Sequence, residues 1–254
     1  MRGAAFQYKG PPIIRGLRAT KAVLNVAMKK TLFALSIAAA AALSSGSAAA
    51  QQAQPAQQAR AGDKAAGAAK SDSCAGCHSI PGYQASFPQV YKVPKIAGQS
   101  EKYIAASLIA YRKGDRKFPT MRAIAASLSD QDIADLAVYY ASLAGPETAP
   151  PAKPEEPSAA VAKLLAQANC ASCHGANYSA PIDPSYPKLA GQYADYLSAS
   201  LRAYQTDHNP RIGRNNAIMV GMARPYSPAD IRAMAAYIAS LPGELHTVPQ
   251  PRFR

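Results

Sequence analysis

Cys74-Ala75-Gly76-Cys77-His78 returns later in the chain as Cys170-Ala171-Ser172-Cys173-His174, and the two stretches use all four cysteines of the 254 residues. C-x-x-C-H reads as a covalent haem attachment site. Two thiols separated by two residues can reach the two vinyl groups of one porphyrin edge. The histidine that follows is then held against the ring, where its imidazole can bind iron. Three other readings account for less of the pattern. A zinc ribbon needs closely spaced pairs, whereas these begin 96 residues apart, and it has no use for a histidine after each. Thioredoxin-like redox pairs need βαβ surroundings, and the flanking sequence carries no strand pattern. Two short disulfides would explain the cysteines but not the histidines.

The net charge of +13 suggests a nucleic-acid or membrane partner until the N-terminus is read. Lys29-Lys30, a short apolar stretch from Leu32 to Leu43 and the small residues Ala48-Ala49-Ala50 compose a secretory signal peptide. The apolar stretch is too short to span a bilayer. Met28 directly precedes the lysines and is the expected start, with residues 1–27 as an upstream extension and cleavage after Ala50. Seven of the 28 basic residues and none of the 15 acidic ones precede Gln51, so the mature balance falls to +6. A nucleic-acid partner is therefore not expected. Export fits the cysteines, and the protein is expected in the periplasm. Residues 51–70 are Gln/Ala-rich and read as a disordered tail. That tail becomes a tether, with weak membrane association, if the leader is not cleaved.

The remainder is duplicated. Pro94-Lys95-Ile96-Ala97-Gly98-Gln99 returns as Pro187-Lys188-Leu189-Ala190-Gly191-Gln192. Tyr103, Leu108 and Tyr111 follow Gln99 at the offsets at which Tyr196, Leu201 and Tyr204 follow Gln192. Asp132-Ile133 and Asp230-Ile231 open two matching terminal segments. The proline-rich segment 147–157 reads as a stiff linker. It separates domain 1 at 71–146 from domain 2 at 158–245, with a C-terminal tail at 246–254. The fold class is all-α, with three helices per domain. One helix carries C-x-x-C-H, a second runs over 100–113 or 193–205, and the last is capped by Ser129 or Ser227. Asp132 and Asp230 stand at the third position of the last helices and Pro228 at the first turn. Domains this small have meagre cores, and a bound haem would supply much of the missing interior.

A second axial ligand is expected in each copy. Met121 stands eight residues before Ser129 and Met219 eight before Ser227. A lone methionine is ordinarily core filler, but a thioether repeated in register suits an iron that already holds histidine. Met222 rivals Met219, Met234 falls on an apolar helix stripe as core, and His208 and His246 read as surface residues. Arg112, Lys113, Arg116 and Lys117 cluster before Met121, either as a solvated face or as a docking edge for an acidic partner.

Both C-x-x-C-H motifs, both P-K-[IL]-A-G-Q segments, both methionines and both terminal D-I-x-x-[LM]-A-x-Y helices resemble the cytochrome c4 family of dihaem class I cytochromes c. The resemblance covers about residues 71–245. It implies two tandem class I cytochrome c domains, each wrapped around a covalently attached haem c. Cys74, Cys77, Cys170 and Cys173 would hold the two haems, with His78 and Met121 on one iron and His174 and Met219 on the other. The Pro94 and Pro187 carbonyls would accept a hydrogen bond from the second histidine nitrogen. The implied role is that of a monomeric electron carrier, not an enzyme. It would pass single electrons from respiratory donors, such as a cytochrome bc complex or a dehydrogenase, to a membrane terminal oxidase or a reductase. Two other roles use the same parts. One is the dihaem electron-accepting subunit of a dehydrogenase, such as a flavocytochrome c sulfide dehydrogenase. The other is a dihaem peroxidase, which needs an open iron.

Overall fold

The computed structural model describes residues 61–145 and 156–250. The expected leader, the tail up to residue 60 and nearly all of the proline-rich linker lie outside the described residues. In domain 1 the elements are α1 (Lys64–Lys70), α2 (Asp72–His78), β1 (Gln84–Ala85), β2 (Tyr91–Lys92), α3 (Glu101–Lys113), β3 (Arg116–Lys117), α4 (Pro119–Ala126) and α5 (Asp130–Ala141). Domain 2 holds α6 (Ala159–Ala168), α7 (Ala171–His174), α8 (Ala194–Tyr204), β4 (Gly213–Arg214), α9 (Ala217–Ala223) and α10 (Pro228–Ser240).

The terminal helices α5 and α10 begin at full capping boxes. Ser129 and Ser227 each accept from the N–H of the third helical residue, whose aspartate reaches back to the cap. Gly114, in the left-handed region at φ 85°, ends α3, and Asn169 at φ 45° ends α6. The cores differ in size. Domain 1 centres on Ile104, Leu136, Ala137 and Tyr140. The hydrophobic cluster at the centre of domain 2 is larger and includes Leu165, Leu197, Ile231, Met234 and Ile238.

Three expectations need correction. Among the described residues each domain has five helices, because an N-terminal helix (α1, α6) and a methionine-bearing helix (α4, α9) join the expected three. Residues 64–70, read as disordered, form α1. The composition that argued for disorder is what lets α1 approach α5: a Cβ on Gly67 would lie 2.1 Å from the Asp135 carbonyl oxygen. A polar knot fixes that crossing. The buried Asp135 carboxylate accepts from Asp63 N–H, Lys70 Nζ and Gln131 Nε2, each at 2.8 Å. Nor are residues 246–250 merely a tail. His246 N–H donates to the Ala97 carbonyl of domain 1 at 3.2 Å, so His246 is half-buried rather than a surface residue.

The duplicated P-K-[IL]-A-G-Q segments face each other across the domain boundary and exchange the same bonds. Gln192 accepts from Lys95 N–H at 3.0 Å and donates to Lys95 O at 2.8 Å. Gln99 accepts from Lys188 N–H and donates to Lys188 O, both at 3.0 Å. Lys95 Nζ donates to Gly191 O at 2.6 Å and Lys188 Nζ to Gly98 O at 3.0 Å. Gly98, at φ 81°, takes a turn that L side chains rarely adopt, and a Cβ there would press on Glu244 O at 2.7 Å. The interval from His78 to Pro94, three residues longer than its counterpart from His174 to Pro187, builds the β1–β2 hairpin. Its Lys92 N–H donates to Asp195 Oδ2 at 3.0 Å.

Candidate cofactor sites

Cys74 and Cys77 stand three residues apart on α2 and so share one helix face. Cys170 caps α7 and Cys173 lies within it. None of the four is joined in a disulfide. Before haem is attached, burial pushes the Cys74 and Cys170 thiols up.

His78 and His174 are the last residues of α2 and α7. His78 Nδ1 lies 2.8 Å from Pro94 O and His174 Nδ1 lies 3.0 Å from Pro187 O. A carbonyl only accepts, so Nδ1 carries the proton and donates. That choice leaves the Nε2 lone pair free for a metal. Burial is the largest influence on both imidazoles and pulls their pKa values down, favouring the neutral, metal-binding form.

The methionines occupy matching places. Phe118 caps α4 and Met121 is its third residue. Asn216 caps α9, and Met219, again third, donates its N–H to Asn216 Oδ1 at 3.1 Å. Met222 lies one turn further along. Met234 is buried in the domain 2 core.

One cavity of about 420 Å³ is lined by Cys74, Cys77, His78 and Met121 together with Cys170, His174, Met219 and Met222. That volume lies within the roughly 300–1,000 Å³ common for cofactor clefts. The donor set suits an iron porphyrin: paired thiols, a tautomer-fixed imidazole and a thioether in each domain, amid apolar side chains such as Ile104, Leu136 and Ile231. Among the described residues no cluster of three or more His, Cys, Asp or Glu could hold a bare metal ion, so the zinc reading loses its site.

The sequence model of the cytochrome c family matches the chain twice, over residues 59–144 and 158–242. Cytochrome c4 of Azotobacter vinelandii is 32% identical over 196 residues, an alignment spanning 71% of this chain and 90% of that protein. The chain belongs to the cytochrome c4 family. Its two cytochrome c domains carry two covalently bound haems c, and it is a dihaem electron-transfer protein. A crystal structure of reduced cytochrome c4 from Pseudomonas stutzeri superposes with a TM-score of 0.54 at 29% identity, covering 71% of this chain and all of that one. A thiosulfate dehydrogenase electron acceptor of Stutzerimonas stutzeri is 31% identical over 176 residues, spanning 66% of this chain and 79% of its own.

The basic cluster does not form one surface. Arg112 Nη2 pairs with Asp130 at 2.5 Å, Lys117 Nζ crosses to Asn209 O in domain 2 at 3.1 Å, and Arg116 is buried. Sequence reasoning placed Arg116 on the surface and gave Arg214 no role. The signal that could have found them is register: each stands five residues before its methionine.

Proposed function

We propose that this chain carries single electrons in the periplasm, from a respiratory dehydrogenase or cytochrome bc complex to a membrane terminal oxidase or reductase. The observation that carries the reading is the repetition, in one cavity, of a thiol pair, a tautomer-fixed histidine and a methionine at the third position of a short helix. Cys74 and Cys77 hold one haem and Cys170 and Cys173 the other. When the haems are bound, His78 and Met121 would hold the first iron, and His174 and Met219 the second. Helix register supports Met219 over Met222. When bound, each haem supplies a one-electron ferric/ferrous couple. The proline carbonyls keep each imidazole turned toward the metal and strengthen it as a donor. The thioethers favour the reduced state and raise the potential. An iron held by both a histidine and a methionine would leave no free site for peroxide, which supports a carrier over a peroxidase. The Gln99 and Gln192 amides hold the two domains in register, so that the separation between the two sites stays fixed.

A second reading is a dedicated electron-accepting subunit of a dehydrogenase. The likeness to a protein named thiosulfate dehydrogenase electron acceptor favours it specifically. In either role the docked partner is a redox protein. None of the described helices is long and apolar enough to cross a membrane.

The test is spectroscopic. A pyridine haemochrome assay should give two haems c per chain, and the oxidised protein should show the weak far-red charge-transfer band of methionine-ligated ferric iron. High-spin character with rapid peroxide turnover would refute the carrier reading. Stoichiometric copurification with a dehydrogenase would select the second reading.

A further inference from the structure

His78 and the Pro94 carbonyl that accepts from its imidazole are joined by a chain three residues longer than the one from His174 to Pro187. The extra length folds as the β1–β2 hairpin, with Gln84 opposite Lys92 and Ala85 opposite Tyr91. Val93 N–H closes it on Tyr83 O at 2.8 Å. A hairpin with strands of two residues has little stability of its own. Pro94 O stays on the imidazole only if something else holds the hairpin.

That support comes from domain 2. Lys92 N–H donates to Asp195 Oδ2 at 3.0 Å, and Lys92 Nζ lies 3.7 Å from the same oxygen. Gly82 N–H donates to Tyr193 Oη at 3.4 Å, and the Arg211 guanidinium lies 5.5 Å from the Phe87 ring centre. On the far side of Pro94, Lys95 N–H donates to Gln192 Oε1 at 3.0 Å. The carbonyl that orients His78 is therefore bracketed, at 92 and 95, by N–H groups that domain 2 receives. Asp195 is the charged acceptor of the two, and a bond to a carboxylate is the stronger kind.

The second copy is built otherwise. Lys188 N–H crosses to Gln99, as Lys95 N–H crosses to Gln192. Before Pro187, however, the loop closes on itself: Ser185 N–H donates to Asp183 Oδ1 at 2.7 Å and Tyr186 N–H to Asp183 O at 2.9 Å. Domain 1 adds a donor there, Ser100 Oγ to Pro184 O, but no carboxylate. Asp195 stands three residues after Gln192, and three residues after Gln99 stands Lys102, whose ammonium accepts nothing. The duplication thus departs from itself at the position that the hairpin uses. An aspartate in the first turn of a helix ordinarily serves the helix dipole. Asp195 Oδ1 does take the Tyr196 N–H at 2.9 Å, which leaves Oδ2 for Lys92.

We propose that Asp195 of domain 2 is a positioning residue for the axial histidine of domain 1: through Lys92 it holds β2, and β2 holds the Pro94 carbonyl on His78 Nδ1. A firmly held carbonyl makes the imidazole a stronger donor to the metal and favours ferric iron, and a loosened one raises the potential. His174, whose loop is pinned by Asp183, does not depend on Asp195. The inference rests on the dihaem reading above, with His78 as a ligand.

The experiment compares the full-length dihaem protein as wild type, Asp195→Ala and Asp195→Asn. Asp195 is half-exposed and belongs to neither hydrophobic core, so both variants keep the fold. Redox titration gives the two midpoint potentials, and NMR of the reduced protein gives the exchange rate of each histidine ring N–H. Asp195→Ala should raise one midpoint potential and speed exchange at His78 severalfold, with His174 unmoved. Asp195→Asn loses the charge but keeps an acceptor oxygen, and should stay near wild type in both readouts. An Asn variant shifted as far as the Ala variant would make charge, not positioning, the cause and overturn the proposal. Equal movement of both potentials would overturn it too, as would an unchanged His78 proton in Asp195→Ala. A wild type with fewer than two haems c would sink the dihaem reading and this inference with it, whereas two haems with an unmoved His78 would sink this inference alone.

Discussion

Substituting Gly67 by alanine sets two effects of opposite sign against each other. Gly67 lies inside α1, where alanine is favoured over glycine by about 1 kcal/mol. The new Cβ, however, would stand 2.1 Å from Asp135 O and 2.7 Å from Tyr139 Cβ. A carbon normally approaches a carbonyl oxygen no closer than about 3.3 Å, so α1 must retreat from α5 by about an ångström. The obstacle is backbone, which cannot swing aside, and overpacking of this kind costs about 1–3 kcal/mol. The same retreat stretches the bonds from Asp63 and Lys70 to the Asp135 carboxylate. Sterics win, with a net loss of about 1 kcal/mol, or a fall of roughly 4–8 °C in the Tm of a domain this size. Thermal unfolding followed by circular dichroism on the haem-loaded protein reads this directly. Gly76→Ala is the control. It too lies in a helix, nothing stands within 4 Å of its Cβ, and the second copy carries Ser172 at the same place. It should leave Tm unchanged or raise it slightly. A Gly67→Ala protein as stable as Gly76→Ala would refute the close crossing of α1 and α5.

Acid should weaken domain 1 before domain 2. Lys70, then Ser129, hold the Asp132 carboxyl at about 2, against 3.8 without them, and Lys70 also depresses Asp135. A depressed carboxylate contributes stability that is full above its unfolded pKa and is lost as pH falls from about 4 toward 2. Asp230 of domain 2 has only Ser227 to lower it, so Lys70→Met should flatten the acid-unfolding curve of domain 1 alone. Met219→Ala should remove half of the far-red band, whereas Met222→Ala should leave it; the reverse result would exchange their roles. Replacing both Gln99 and Gln192 by alanine leaves the Lys95 and Lys188 backbone groups unpaired at the domain boundary. At about 1–3 kcal/mol for each buried group left without a partner, denaturant unfolding should split into two transitions, and a single unshifted transition would refute the clamp.

The haem-bearing parts of this fold were legible because their chemistry is local. A thiol pair and the histidine after it must be neighbours in sequence, and a capping box is complete within four residues, so Cys74 to His78 and Ser129 to Asp132 announce themselves. The helix α1 was not legible, because its stability lies in a partner about 70 residues away: Ala/Gly composition looks disordered until Asp135 and the α5 backbone are placed against it. The basic cluster was misread for a related reason. Arg112, Lys113, Arg116 and Lys117 look alike in sequence, yet β3 turns Arg116 inward against Arg214 and sends Lys117 across to domain 2. The second error came from treating each copy as a unit complete in itself. Duplication makes two copies of each surface, and where the copies meet, matching residues face one another. Gln99 with Gln192 can turn that likeness into reciprocal hydrogen bonds, since an amide is both donor and acceptor. Arg116 with Arg214 cannot, since a guanidinium only donates, and the two instead share the Tyr196 hydroxyl as their acceptor.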